Sequence, residues 1–277
     1  MNVLANLVAH RPNLFAVIVM ATAAIFLGSF FPSKRKRCDW ILASALIMLP
    51  ATAACWSVTV WLSRLVPLKL DQYVYCIDSI FGEPSFAIGR YFLQHPWLGV
   101  ITQKAYDILP CAILATFAAY LWSQTKKDVL FFMRAIILDF ILALPFYLLI
   151  PVCGPKYAFT SFPFGNPTHL VPHEILLTAA PNGIPSVHMT TALLVFLFSR
   201  RWKLGGVLGF VYLLLTILAT LGSGEHYLFD LIAAIPYAAL ILFLARHPWI
   251  PSVMFRRTAR DVATDKVHSP TSTDGWS

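Results

Sequence analysis

The sequence predicts an all-α fold, a polytopic bundle of about seven membrane-spanning helices. Hydrophobic residues make up 58% of the 277 residues and charged residues only 12%, about half the charged fraction of a typical soluble domain. The apolar stretches reach about 20 residues, which as a helix cross a hydrocarbon core of roughly 30 Å. The basic residues gather in connections that alternation of the spans places on one face.

The predicted spans differ in how strongly the sequence supports them. The fifth has the shortest apolar stretch, "VHMTTALLVFLFS", and needs flanking residues to cross. The first could be a secretory signal peptide, because "ATAA" offers small residues, but the apolar run continues past them and a basic cluster follows. These features favour an uncleaved span. The spans lie near residues 13–31, 41–62, 98–123, 129–151, 186–202, 204–222 and 226–245.

Charge placement predicts an orientation. Fourteen of the twenty-one Lys and Arg residues lie in three short connections and in the tail, which we assign to the cytoplasmic face. The other face receives the connections 63–97 and 152–185, and the first of these is expected to lie partly along the outer interface. We therefore expect an integral multi-pass protein of a bacterial cytoplasmic (inner) membrane. Its predicted regions are an extra N-terminal span with a basic loop (1–40), a membrane-embedded helical domain that carries the candidate catalytic residues (41–246) and a disordered cytoplasmic tail (247–277).

Charge and cysteine patterns argue against two kinds of partner. The net charge of +8 does not indicate nucleic acid, because membrane topology rather than one basic patch accounts for it. The five cysteines show no C-x-x-C spacing, which argues against a zinc site built on thiolates. Cys76 and Cys153 both fall on the outer face, where a disulfide could form, although two unpaired thiols are favoured.

Two polar motifs open spans that run inward from the outer face. In "GSGEHYLFDLIAA", His226 and Asp230 are four residues apart and share one face of a helix. The carboxylate can then bond one imidazole nitrogen and leave the other for a substrate, although a structural pair that braces helices is equally compatible with this spacing. In "GIPSVHMTTALL", Ser186 is a suitable N-cap, and a helix start of this kind suits an anion such as phosphate. His188, which alone reads as a polar residue at the lipid boundary, therefore lies at the same depth as His226.

The stretches "IPSVH" and "GEHYLFD" together resemble the second and third signature motifs of the type 2 phosphatidic acid phosphatase superfamily. The resemblance covers roughly residues 98–245 and implies a six-helix phosphatase-like core. The tyrosine after the histidine, and the lack of the usual arginine before it, look most like the inositol phosphorylceramide synthase-like branch. Members are integral membrane phosphatases and phosphotransferases that need no metal or other cofactor.

Carried over to this chain, the resemblance implies that His226 is the nucleophile and forms a phosphohistidine. Asp230 is then expected to orient and stabilise it, while His188 protonates the leaving group. The hydroxyl of Ser186 and nearby backbone N–H groups are expected to hold phosphate oxygens. A two-step displacement needs one unprotonated and one protonated imidazole near neutral pH, and a carboxylate beside only one of them differentiates the pair.

The family's first signature, a lysine followed by an arginine–proline pair, is not found. Lys156 in "GPKYAF" lies in the corresponding outer connection, without the following arginine. Thr220 stands where many members have a phosphate-binding arginine. We therefore predict Lys156 and Thr220 as phosphate contacts, and Arg90 as a cation that could fold in from the other connection.

Two polar features keep other interpretations open. His169, His173 and Glu174 in "THLVPHEIL" could assemble a metal site with the two motif histidines, although Pro172 disfavours a helical pair. Asp139 falls near the middle of the fourth span, where an ionisable group is costly. We expect it to be a buried structural partner or a contact for a substrate headgroup.

The sequence thus predicts an enzyme that hydrolyses a lipid-linked phosphate, or transfers it to a lipid hydroxyl, at the extracytoplasmic leaflet. Its partners are a lipid phosphate substrate and membrane lipids, with no nucleic acid, and the oligomeric state is not predicted. The alternative is a non-catalytic protein of the same fold that binds or transports lipid.

Overall fold

The computed structural model describes residues 65–123, 125–164 and 170–246, together with Val58, Trp61 and Leu62. The first predicted span, all of the second except those three residues, the signal-peptide alternative and the boundary at residue 40 therefore lie outside the described residues. The predicted tail, 247–277, lies outside them as well.

The described chain is mostly helical, which confirms the predicted all-α class. A two-stranded antiparallel ribbon accompanies the helices, with Leu68 opposite Leu176 and Lys69 opposite Ile175. The helices within the described ranges are α1 (Asp71–Ser79), α2 (Pro84–Gln94), α3 (Pro96–Asp107), α4 (Leu109–Ser123), α5 (Lys126–Leu149), α6 (Pro155–Ala158), α7 (Val187–Ser199), α8 (Lys203–Gly222) and α9 (Leu228–Arg246). The strands are β1 (Leu68–Lys69) and β2 (Ile175–Leu176).

Three of the described helices, α5, α8 and α9, are long and apolar enough to cross a membrane. The third predicted span is broken: α3 and α4 meet at 50° around Ile108, and the two together count as a fourth candidate. α7 has only 13 residues, in keeping with the short apolar stretch of the fifth predicted span. The described part is therefore a multi-pass helical bundle.

The core lies where α4, α5, α7 and α9 meet. Phe132, Ile136, Leu194 and Ile241 are fully buried there. In a bilayer, apolar side chains gain little by leaving lipid, so close packing and buried hydrogen bonds hold helices together. The hydroxyl of Tyr120, which donates to a backbone carbonyl oxygen of α7 at 3.2 Å, is one such bond.

The connection before α3 contains two helices that the sequence analysis did not predict. α1 and α2 bury Val74, Tyr75 and Phe86 in a second apolar cluster, against residues of the connection between α5 and α7 and of the start of α9. This segment therefore forms part of the folded domain, in addition to any interfacial surface it provides. Cys76 and Cys153 are free thiols, so no disulfide joins it to the opposite connection.

Candidate active site

His226 lies in the loop between α8 and α9, and both of its backbone polar groups are bonded to neighbouring helices. The carbonyl oxygen of Thr220 accepts the N–H groups of Glu225 and His226 at 3.1 and 3.2 Å. The hydroxyl of Ser85, on α2, donates to the carbonyl oxygen of His226 at 2.9 Å. Gly224 has a φ of +70°, where glycine is strongly favoured, and turns the chain toward α9. Contacts from two helices therefore position the imidazole.

His226 and Asp230 form the hydrogen bond that their spacing predicts. Nδ1 of His226 lies 3.2 Å from Oδ2 of Asp230, and the same oxygen accepts the backbone N–H of Tyr227 at 2.9 Å. The two side chains are 3% and 0% exposed, so little water competes for the bond. An ionised carboxylate only accepts hydrogen bonds, so the pair places a proton on Nδ1 and leaves a lone pair on Nε2. That nitrogen is a competent nucleophile.

Ser186 caps α7, as predicted, and the start of α7 adjoins the start of α9. The hydroxyl of Ser186 accepts the N–H of Met189 at 3.3 Å. The N–H of Ser186 lies 3.5 Å from the carbonyl oxygen of Asp230. On the other side, the hydroxyl of Tyr147 donates to the carbonyl oxygen of Pro185 at 3.3 Å. Both motifs therefore meet at one end of the bundle.

His188 lies in the first turn of α7 and has Tyr106 as a partner. The two rings are stacked, with centroids 4.0 Å apart and planes 10° apart. The hydroxyl of Tyr106 is 3.1 Å from Nδ1 of His188. Tyr106 is in the last turn of α3, just before the bend at Ile108. The bend thus places a tyrosine that fixes the ring plane of one histidine.

Lys156 reaches the residue that precedes His226. Its Nζ forms an ion pair with Oε1 of Glu225, and the hydroxyl of Tyr157 donates to Oε2 at 3.1 Å. The N–H of Lys156 donates to the carbonyl oxygen of Gly224 at 3.0 Å. Desolvation lowers the pKa of Lys156, but hydrogen bonding and attraction from Glu225 outweigh it and raise that pKa above its ordinary value. Lys156 is therefore held in its protonated form against the loop that carries His226, and Glu225 neutralises its charge.

The other predicted phosphate contacts are differently placed. The hydroxyl of Thr220 is buried and donates to the carbonyl oxygens of Thr216 and Ile217, at 2.9 and 3.0 Å, within its own helix. The structure therefore does not direct this hydroxyl toward the histidines, and it is the carbonyl oxygen of Thr220 that shapes the loop. Arg90 donates to the carbonyl oxygen of Pro163 at 3.2 Å, in the connection between α5 and α7.

Two buried carboxylates that are not among the predicted site residues also contact the site. Asp78 accepts the N–H groups of Leu228 and Phe229 at 2.8 and 2.9 Å. Asp71 accepts the hydroxyl of Tyr227 at 3.2 Å. Their spacing could have indicated them: in "DQYVYCID" the two acids are seven residues apart and share one face of a helix. A segment that only lies along the membrane interface has no need to bury them.

The metal alternative gains no support from the part of the chain that the structure describes, where no group of three or more His, Cys, Asp or Glu could hold an ion. The N–H of His173 donates to Oε1 of Gln72 at 3.0 Å, and its Nδ1 lies 3.1 Å from the carbonyl oxygen of Val171. Glu174 is exposed. His169 lies outside the described residues.

Asp139 occupies the core rather than the site. Its Oδ2 accepts the hydroxyl of Thr191 at 2.6 Å, and its backbone carbonyl oxygen accepts the hydroxyl of Tyr237. The residue thereby links α5 to α7 and α9, as expected of a buried structural partner.

A family model described as the PAP2 superfamily matches residues 77–244, more than half of the chain. The match runs from the end of α1 through nearly all of α9 and includes both motifs. No curated protein and no solved structure matches the chain. Members of this superfamily are generally phosphatases or phosphotransferases, and membership supports a phosphatase-type activity on lipid phosphates. The chain belongs to the type 2 phosphatidic acid phosphatase (PAP2) superfamily.

Proposed function

We infer that this protein is a metal-independent enzyme that cleaves a lipid-linked phosphate through a phosphohistidine and passes the phosphoryl group to water or to a lipid hydroxyl. The observation that carries the proposal is the hydrogen bond between His226 and Asp230 at the start of α9, directly beside the start of α7. A histidine with a carboxylate on Nδ1 and a free Nε2 is an activated nucleophile.

In the first step, Nε2 of His226 attacks phosphorus and the bond from phosphorus to the lipid oxygen breaks. Protonated His188 gives its Nε2 proton to that oxygen, so a neutral lipid alcohol leaves. The Asp230 carboxylate stabilises the positive charge that develops on the attacking imidazole. Tyr106 holds the other end of the His188 ring, since its hydroxyl contacts Nδ1.

In the second step, the acceptor attacks the phosphorus of the phosphohistidine and the bond from phosphorus to Nε2 breaks. Neutral His188 takes the acceptor's proton and returns to its starting state. Water as acceptor yields the hydrolysed phosphate, whereas a lipid hydroxyl yields a new phospholipid. The contacts of His188 and His226 are compatible with either acceptor.

Phosphate oxygens are held, in our proposal, by Lys156 and by N–H groups in the first turn of α7. A helix start favours anions because its N–H groups lack intrahelical partners. Ser186 opens that turn. Its hydroxyl oxygen already accepts the N–H of Met189, so the hydroxyl is expected to contact phosphate by donating its hydrogen. Thr220 serves in positioning the loop. Lys156 exchanges its bond to Glu225 for one to phosphate when substrate enters.

The membrane face is proposed from charge bias alone. The described basic connections, at the starts of α5 and α8, lie at the ends of these helices opposite the motifs, so the reaction is expected at the extracytoplasmic leaflet. Assignment to the inositol phosphorylceramide synthase-like branch stays a prediction that rests on the context of the two motifs.

The test is an assay of purified protein in proteoliposomes over a panel of lipid phosphates, with and without lipid alcohols. Inorganic phosphate released indicates hydrolysis, and a new phospholipid indicates transfer. The expected activity survives EDTA, disappears in His226→Ala, and is unchanged in His173→Ala, which removes an exposed histidine of the metal alternative. Robust turnover by His226→Ala contradicts the mechanism. Loss in EDTA and in His173→Ala favours a metal, and lipid binding without turnover favours the non-catalytic alternative.

A further inference from the structure

The start of α9 has its N–H groups occupied by carboxylates. Asp230 takes the N–H of Tyr227, and Asp78 takes those of Leu228 and Phe229. A helix start attracts negative charge, so two carboxylates stabilise α9. None of these three N–H groups is therefore free to bind a substrate. This agrees with the proposed phosphate site at the start of α7, and leaves α9 the role of holding His226.

The second of these carboxylates comes from a different helix. The residue that precedes α9 is Tyr227, whose side chain reaches away to Asp71 and does not cap the helix. Asp78 supplies the missing cap across the fold, from a position 150 residues earlier in the chain. The orientation of α9 is thereby tied to α1.

Asp71, at the other end of α1, holds the connection that carries Lys156. Its carboxylate accepts the N–H of Cys153 at 3.0 Å and that of Gly154 at 2.8 Å. Gly154 has a φ of +113°, and a Cβ there would collide with the carbonyl oxygen of Glu225. Asp71 therefore holds a point at which the connection of Lys156 closely approaches the loop before α9.

The two acids are fully or almost fully buried on one face of α1, about 10 Å apart by helical rise. Burying two carboxylates is costly unless hydrogen bonds and charge compensate. Asp71 has the buried Lys69 near enough to attract it, and each acid has backbone donors.

We propose that α1 is a clamp in which Asp71 and Asp78 are positioning residues, setting the distance between Lys156 and the nucleophile His226. The proposal rests on the proposed function. In this proposal α1 keeps the lysine that binds phosphate and the histidine that attacks it at a fixed distance. Asp71, the first of its two acids, lies outside the residues 77–244 that the family model matches. Breaking either end should loosen both loops, with the larger kinetic effect on the partner whose loop loses its bond, so that the distance between Lys156 and His226 is no longer fixed.

The kinetic test compares Asp71→Asn and Asp78→Asn with Asp128→Asn. Asp128 also forms hydrogen bonds at a helix start: in the capping box of α5 it accepts from the N–H and hydroxyl of Thr125. It lies about 28 Å by helical rise from Tyr147 at the site end of α5. Asp78→Asn should lower kcat about ten- to hundred-fold with little change in KM, the effect expected when charge-assisted hydrogen bonds are lost.

Asp71→Asn should mainly raise KM, because it frees the connection of Lys156, and Asp128→Asn should change neither constant more than about two-fold. The double variant of the clamp should lose less than the product of the single losses, since one helix serves both contacts. Tyr227→Phe removes one bond to Asp71 and keeps both acids. It should lower kcat about three-fold and should disturb folding less than Asp71→Asn or Asp78→Asn. Unchanged constants for the folded clamp variants overturn the proposal.

A second measurement does not depend on activity. Amide hydrogen exchange at Leu228 and Phe229, and at Cys153 and Gly154, should speed up together in either Asp variant, about ten-fold or more. In Asp128→Asn these amides should exchange as in the wild type. If each Asp variant loosens only the loop it touches, the clamp is wrong. If the wild type turns over no lipid phosphate but the exchange is coupled, the proposed function fails and the clamp stands.

Discussion

Lys156 and Glu225 form an ion pair beside the nucleophile, with side chains 34% and 23% exposed. Glu225 directly precedes His226, so the cation predicted to bind phosphate is neutralised by the neighbour of the residue that attacks it. If Lys156 binds phosphate as proposed, the phosphate competes with this carboxylate, and we expect the pair to limit how tightly an anion binds.

Removing the charge of Glu225 should strengthen anion binding. In Glu225→Gln, Lys156 is no longer compensated, so inorganic phosphate should inhibit competitively at a concentration several-fold lower than in wild type. Lys156→Met should weaken this inhibition about ten-fold. Lys203→Met removes a lysine about 26 Å from Thr220 along α8 and serves as the control. An unchanged inhibition constant in Lys156→Met would exclude lysine as a phosphate ligand.

Asp230→Asn should lower kcat by two to four orders of magnitude, about the range for losing the carboxylate of a catalytic histidine pair. The amide can donate to Nδ1 and so favours the wrong tautomer, with the proton on Nε2. Trapping the acid-labile phosphoenzyme checks this directly: the rate of its formation should fall while KM changes little. Formation at the wild-type rate would show that Asp230 only braces the helix.

Tyr106→Phe keeps the stacked ring and removes its hydroxyl from Nδ1 of His188. We expect kcat to fall about ten-fold and the pH–rate profile to move, because one hydrogen bond to the general acid is lost. Tyr91→Phe is the control: Tyr91 packs against His95 outside the site, with ring centroids 4.4 Å apart and planes tilted by 51°. Equal effects of the two substitutions would assign Tyr106 to packing alone.

Activity should fall as the pH drops through about 6. Desolvation raises the pKa of both Asp71 and Asp78 to about 6, although their backbone hydrogen bonds oppose the shift. Protonated carboxyls accept these bonds less well, so kcat should decline on the acid side. Asp78→Asn should show a shallower decline, since one of the titrating groups is gone.

The stability of the fold should respond to these two groups with the opposite sign. Their pKa in the folded protein lies above the ordinary value of about 3.8, so the folded state binds more protons between about pH 4 and 6. Their contribution to the free energy of unfolding therefore rises as the pH falls through that window. Comparing thermal unfolding of wild type and Asp78→Asn at pH 7 and 5 checks this. An activity loss that simply follows unfolding would contradict the prediction.

The helical class and the pairing of His226 with Asp230 could be predicted because both depend on local periodicity. Apolar runs of fixed length define spans, and residues four apart on a helix meet wherever the helix lies. The capping of α7 by Ser186 is equally local, since an N-cap bonds a donor three residues ahead. These features were predicted without knowledge of neighbours.

The hydroxyl of Thr220 and the bend at Ile108 could not be predicted in the same way. A threonine in an apolar helix can bond back to its own carbonyls or turn to a ligand, and the choice depends on what surrounds it. The bend interrupts a continuous apolar run, so hydropathy alone shows one span. The bend brings Tyr106 into contact with His188, although the two residues are 82 positions apart in the sequence.

By itself, the sequence determined that this chain is a membrane helical bundle with two polar motifs at the starts of spans. Only the tertiary structure decided that α1 caps α9, that Lys156 is bound by Glu225, and that Tyr106 holds His188. The physical reason is that spans and caps follow from interactions within a few residues, whereas each of these contacts joins distant segments. Such contacts exist only once packing has brought the helices together.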